Sequence, residues 1–321
     1  MKKLLLFLTI SITAAFLLYA KAQQVIMQPQ KIDGEVIFAV QKGNSLKEIA
    51  DELYEKKLLK NPQYFVWYAK FKKIYPQIKA GEYMVDKDVN FEDLANILTL
   101  GKFYWRKVTI PEGLNVFQIK KILDENEFLS GETPDFSEGE LLPETYTFMR
   151  GETRNNIVLQ ARKNMQNTLQ NIWKERAENI PLHSENELLI LASIIEKETG
   201  IASERPQISA VFANRLKIGM RLQTDPSVIY AITKGERELG RPLLKKDLET
   251  NSPYNTYKYA GLPPKPICSP GKEAIIAAAH PDNSDYLYFV ASGNGGHNFA
   301  KSLSEHNQNV NKWRQIQKQA K

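Results

Sequence analysis

Lys2 and Lys3 precede Leu4–Ala20, LLLFLTISITAAFLLYA, a run without a single charged residue. A run of this length is at the lower edge for a membrane-spanning helix, ~17 residues, and slightly long for the core of a signal peptide. Ala20-Lys21-Ala22 also offers a small-x-small cleavage pattern. A retained anchor is the preferred reading. Residues 1–22 then form a cytoplasmic tip and a transmembrane helix. The lysine pair stays inside and the rest of the chain lies on the outer side of the cytoplasmic membrane.

Outside the anchor, composition excludes more than it selects. A 321-residue chain with 42% hydrophobic and 25% charged residues buries a full core and divides into more than one domain. The net charge of +6 forms no dense Lys/Arg block along the sequence, which argues against a nucleic-acid protein. Such an excess suits an anionic polymer or membrane surface. Cys268 is the lone cysteine, so no internal disulfide can form. His183, His280, His297 and His306 are scattered without metal-ligand spacing, and no nucleotide loop or serine-nucleophile elbow occurs. No metal or cofactor is expected.

Local patterns give the order of elements. Gln23–Asp33 is polar and aperiodic and reads as a stalk over 23–34. Val36–Val40 reads as a strand and Gly43-Asn44 as a turn. Ser45 with Glu48 forms a capping box that opens a helix over 46–57. Asn61-Pro62 caps a second helix, and 80–85 reads as a second strand. Residues 35–87 are thus a small βααβ module. Its turn-and-capped-helix pattern recurs 70 residues on, with Gly113, Asn115, Val116, Ile119 and Leu123 matching Gly43, Ser45, Leu46, Ile49 and Leu53. Asn90, Phe91, Leu94 and Leu98 repeat it again, so 88–139 reads as connecting strand-helix repeats. The turn-rich stretch 127–140 marks a boundary. Helices are expected over 153–180, 185–199 and 206–218, with loop-rich motifs from Gly219 onward and a strand over 286–291. Gly293–Gly296 reads as a hairpin turn. The fold class is α+β, with residues 140–321 a mixed α/β catalytic domain.

The chemistry concentrates in Leu191–Gly200, LASIIEKETG. A helix turns about 100° per residue. With Leu191 at zero, Ile195 falls at about 40°, Ile194 at about −60° and Glu198 at about −20°. Glu198 is therefore driven into the apolar stripe, while Glu196 falls at about 140°. A desolvated carboxyl holds its proton to higher pH, as a general acid requires. Glu204, Asp225 and Glu144 are candidates for a second carboxylate.

IIEKETGIASERPQISAVFANRL, MRLQTDPSVIY, SPYNTYKYAGLPPKPICSPG and GGHNFAKSLSEHN follow one another in order, with LLPETYTF upstream. This set resembles the MltG/YceG family of membrane-anchored endolytic murein transglycosylases. The 35–87 module resembles a LysM module, which binds N-acetylglucosamine-containing glycans. The resemblance implies cleavage of the β-1,4 bond between N-acetylmuramic acid and N-acetylglucosamine within peptidoglycan strands. It further implies a 1,6-anhydro product and Glu198 as the catalytic residue. Gln223, Thr224, Asp225, Tyr254, Asn255, Tyr257, Glu144 and Tyr146 are expected to line the cleft. Aromatic faces there would stack on sugar rings, and amides would bond N-acetyl groups. Penicillin-binding proteins and other wall-synthesis enzymes are implied partners. The residues alone leave open a non-catalytic, wall-binding scaffold and a water-using muramidase.

Overall fold

The computed structural model describes residues 2–293 and 295–319. The chain forms two compact units, Met1–Arg106 with Thr147–Arg150, and Lys107–Tyr146 with Gly151–Lys321.

The first unit begins with helix α1 (Lys2–Met27), whose segment Phe7–Met27 is long and apolar enough to cross a membrane. The helix runs past the expected anchor end at residue 22. Val25, Ile26 and Ile32 pack against the core of the unit. Gln30 and Val89 exchange backbone hydrogen bonds of 2.7 and 3.2 Å, so the expected stalk is folded into the unit. These apolar residues were the missed signal in a stretch that reads as polar overall.

The strand-helix-helix-strand order follows as expected. Strand β1 (Val36–Val40), helices α2 (Leu46–Glu55) and α3 (Pro62–Phe71), and strand β2 (Gly81–Val85) form the module. β1 and β2 pair antiparallel, with Phe38 opposite Tyr83. Gly43 has φ 94°, a left-handed turn that glycine adopts at no steric cost. Helix α4 (Phe91–Leu100) packs its Leu94 and Leu98 into the same core. Strand β3 (Arg106–Thr109) ends the continuous part of the unit. The units part at residue 106, not near 140, so 107–139 folds with the larger unit.

Helix α5 (Val116–Asp124) repeats the capped start. The expected Ser45–Glu48 box closes reciprocally, and the repeated caps Asn90 and Asn115 close in the same way with Asp93 and Gln118. Strand β4 (Thr145–Phe148) pairs with β3. The larger core is helical. It holds α6 (Arg154–Lys174), α7 (Glu185–Glu198), α8 (Arg205–Lys217), α9 (Asp225–Thr233) and α10 (Lys272–Ala279). A hairpin of β5 (Tyr288–Ala291) and β6 (His297–Ala300) precedes α11 (Leu303–Gln319).

Three departures have physical causes. α6 stops at Lys174, where the Arg176 guanidinium stacks 3.9 Å from the Trp173 ring and the Ala177 N–H leaves to bond the Ala279 carbonyl. Asp225-Pro226 starts a helix within the stretch read as loop-rich, because proline fits a first helical turn and an acid suits its positive end. α10 and α11 escaped the reading, their periodicity masked by alanine-rich and polar composition. The expected 293–296 turn keeps left-handed Gly293 and Gly295, and Ser292 bonds across it to Gly296. Its Asn294 lies outside the described residues.

Candidate active site

α7 is the central helix of the larger unit. Ser184 caps it by accepting from the Glu187 N–H, and Leu188–Ile195 are all buried among α6, α8, α9 and α10. The helix ends at Glu198, because Thr199 turns extended at φ −145° and ψ 135°. Glu198 thus occupies the last helical position, where the core gives way to loops. Part of its surface remains accessible, yet protein atoms crowd the carboxyl. Desolvation, reinforced by the negative charge of Asp225 and opposed by Arg215, pushes its pKa up to about 8. A carboxyl that holds a proton near neutral pH is equipped to donate it.

Glu196 has different neighbours from Glu198, in line with its angle on the helix. α7 is buried on every side, so the far side of its helix is also enclosed. The Glu196 carboxylate accepts from the Gly271 N–H at 2.9 Å and lies 3.9 Å from the Arg205 guanidinium. Burial first, then the nearby Glu112 charge, raises its pKa against those partners. Arg205 also reaches Glu112 at 3.9 Å, and a side chain on Gly271 would collide with Glu112. Next to it Lys197 Nζ donates to the Gly113 carbonyl. This side of the helix end is built as a brace.

The other side is open and acidic. Gln223 has φ 51°, a left-handed conformation uncommon for a side-chain-bearing residue. Its N–H bonds the Thr256 carbonyl at 3.1 Å and its side chain is exposed. The Thr224 N–H bonds Thr256 Oγ1 at 2.9 Å, and Ser227 Oγ sits 2.7 Å from that same atom. These bonds fix residues 223–227 against 255–257. The Tyr257 hydroxyl then donates to Asp225 Oδ1 at 2.7 Å. Glu198 and Asp225 both act on the Tyr257 phenol, whose pKa rises through desolvation first and then through Asp225. Arg215 lies beneath them, donating to the Leu287 and Leu222 carbonyls. Glu198, Asp225, Tyr257 and Arg215 therefore form one electrostatic group.

The remaining expected residues divide. Gln223 and Thr224 adjoin the group, although the Thr224 side chain is buried. Tyr254 stacks on Tyr230 with ring centroids 4.8 Å apart. Asn255 is fully buried and is used by its own loop. Its amide donates to the Leu248 and Thr250 carbonyls and accepts from the Tyr257 N–H. It therefore orients Tyr257 and does not face a cleft. Tyr146 is likewise in the core, 2% exposed, with its hydroxyl on the Leu142 carbonyl. Glu144 is exposed beside Asn164. Glu204 is not paired with Arg205. It accepts from both the N–H and Nδ1 of His297, at 2.9 and 2.7 Å. Burial would raise its pKa, but the His297 bonds outweigh burial and hold it below the ordinary value. Cys268 is buried with its thiol pKa pushed well up by desolvation, a packing role.

Sequence reasoning missed Arg215 and Glu138. Arg215 follows Val211 and Phe212 on the buried face of α8, and a cation in an apolar stripe was the available signal. Glu138 accepts from the Val116 N–H at 3.1 Å and lies 3.5 Å from the Tyr230 hydroxyl. Desolvation takes its pKa to about 7, against those two bonds.

Known proteins share this arrangement of sequence. The YceG-like family matches residues 38–312, and the chain belongs to that family. It is 34% identical to the endolytic murein transglycosylase of Bacillus subtilis strain 168, over 92% of this chain and 89% of that protein. It is 30% identical to the endolytic murein transglycosylase of Streptococcus pneumoniae strain D39 over 86% of this chain, and spans 58% of that longer protein. The crystal structure of the yceG-like protein lmo1499 from Listeria monocytogenes is similar at a TM-score of 0.54. That match has 31% identity and covers 85% of this chain and 98% of the other.

Proposed function

We propose that this chain is an endolytic murein transglycosylase in which Glu198 alone serves as acid and then base. The observation that carries the reading is Glu198 itself, a half-buried residue at the end of a buried helix whose carboxyl burial raises to a pKa of about 8. A wall-binding scaffold has no use for such a group, and burying it costs stability.

The chemistry follows from one proton. Glu198 gives its proton to the bridging oxygen as the bond to C1 of N-acetylmuramic acid breaks. The leaving strand departs with a free hydroxyl. Positive charge develops at C1 and the ring oxygen, and the Asp225 carboxylate, held by Tyr257, favours it electrostatically. The Glu198 carboxylate then takes the proton of the muramic C6 hydroxyl, whose oxygen closes on C1. The 1,6-anhydro ring forms and Glu198 is again protonated. No water enters. The nucleophile is part of the substrate, which supplies a high effective concentration.

The same proposal includes α1 as an anchor in the cytoplasmic membrane, with Lys2 and Lys3 inside and both units outside. The βααβ module is LysM-like, supported by its element order and antiparallel strand pair. Limiting nascent strand length, and contact with penicillin-binding proteins and other wall-synthesis enzymes, belong to the proposal too. The test is Glu198→Gln assayed on purified glycan strands. A loss of roughly 10²–10⁴-fold in release of anhydro-muramyl ends is expected. Unchanged release would overturn the role of Glu198.

A further inference from the structure

α3 is apolar on both of its faces. Phe65, Val66, Tyr68 and Ala69 fill the core of the first unit. Tyr64, Trp67 and Phe71 share the opposite stripe, as residues spaced by three and four must. They are 43%, 58% and 84% exposed, and the Tyr64 and Trp67 rings lie 5.6 Å apart. Three large aromatic rings exposed side by side mark a face that meets something other than water.

Two further observations say what that is. First, residues 60–80 contain Lys60, Lys70, Lys72, Lys73 and Lys79 and no Asp or Glu, and all five lysines are exposed. The segment that carries the aromatic stripe therefore holds five positive charges and no negative one. Second, the stripe borders α1. Tyr19, Ala22 and Ile26 of α1 face Tyr64, Trp67 and Phe71 across an open groove of about 450 Å³. Val25 and Ile26 hold the end of α1 in the core of the unit, so this geometry is fixed. An α1 that crosses a bilayer places the groove at the level where its apolar span ends. Tryptophan, tyrosine and lysine are the residues that favour that level. Each lysine near an anionic surface adds attraction.

We propose that α3 is an interfacial helix that seats the first unit on the outer face of an anionic phospholipid membrane beside α1. The occupant of the groove and stripe is the lipid boundary between headgroups and acyl chains. The proposal rests on the membrane reading of α1. It gives the module a face for lipid in addition to any face for glycan.

The test uses the full chain in phosphatidylglycerol–phosphatidylcholine vesicles whose acyl chains carry bromine near the headgroups. Vesicle flotation first scores insertion of α1. Bromine quenches tryptophan only within contact range, and the chain has four tryptophans. Trp67→Phe keeps an apolar ring and preserves folding. It should remove most of the quenching seen with the wild type. Replacing Lys70, Lys72 and Lys73 together by Gln should reduce the Trp67 quenching in anionic vesicles. A floating chain with no quenching, or quenching that Trp67→Phe leaves intact, would overturn the proposal while sparing the anchor. A chain that does not float would overturn both. Trp67 emission that ignores brominated lipid but shifts with added glycan strands would assign the stripe to glycan and refute the lipid assignment.

Discussion

Glu198→Gln should alter stability with a pH dependence that follows from burial. The folded carboxyl has a pKa of about 8 against an ordinary 4.5. Below pH 4.5 the folded and unfolded chains are both protonated at this site, and the group costs nothing. Between these values the unfolded chain ionises and the folded chain does not. The folded state then binds more protons, so stability falls as pH rises, by about 1.4 kcal/mol per pH unit. Over the whole interval the loss is at most about 5 kcal/mol, a large share of an ordinary folding free energy. Glutamine resembles the protonated acid and does not titrate. The two proteins should therefore unfold at similar urea concentrations near pH 4.5. The variant should become progressively more stable than the wild type up to pH 8 and above. Urea titrations of the full chain in detergent at several pH values read this directly. A stability difference that is flat with pH, or that favours the wild type as pH rises, would refute the burial argument. The same ionisation should make kcat/KM of the wild type fall above pH of about 8, where the acid has lost its proton.

Asp225→Asn removes a negative charge that raises the Glu198 pKa, so the alkaline fall in kcat/KM should move to lower pH; an unmoved limb would separate the two carboxyls. Tyr257→Phe deletes one hydrogen bond to Asp225 and should cost about tenfold in kcat/KM, with thermal unfolding nearly unchanged. Glu204→Gln weakens the hold on His297. It should destabilise the protein by about 1–3 kcal/mol at neutral pH, and the difference should vanish as pH falls below the depressed Glu204 pKa, where the wild type is protonated too. Glu138→Gln should leave stability unchanged at acid pH and improve it above pH 7, since Glu138 is also held up by burial.

Short-range signals carried the most in the sequence. The Ser45–Glu48 box, the Asn61 cap, the βααβ order and the start of α7 at Glu185 depend on near neighbours, and each formed as read. The position of Glu198 on the apolar stripe of α7 was legible for the same reason. What failed depends on distant contacts. Glu196 was legible as lying opposite Glu198, but nothing near it in sequence reveals its partners Gly271 and Arg205. Asn255 and Tyr146 have the chemistry of sugar contacts, and only tertiary packing spends one on its loop and the other on the core. The domain boundary was drawn at turn-forming residues near 140, whereas the structure divides at 106 and backbone bonds tie residues 113 and 114 to Ser269. The charge distribution shows the same limit from the other side. No dense Lys/Arg block stands out along the chain, yet residues 60–80, which hold α3, carry five exposed lysines and no acid.

The claim that one carboxyl suffices can be tested most directly on the product. Purified glycan strands are cleaved by the full chain in water enriched in ¹⁸O, and the new ends are weighed by mass spectrometry. The account predicts 1,6-anhydro-muramic ends without ¹⁸O, since the C6 oxygen closes the ring. Reducing muramic ends carrying ¹⁸O would mean that water attacks C1, and would contradict it.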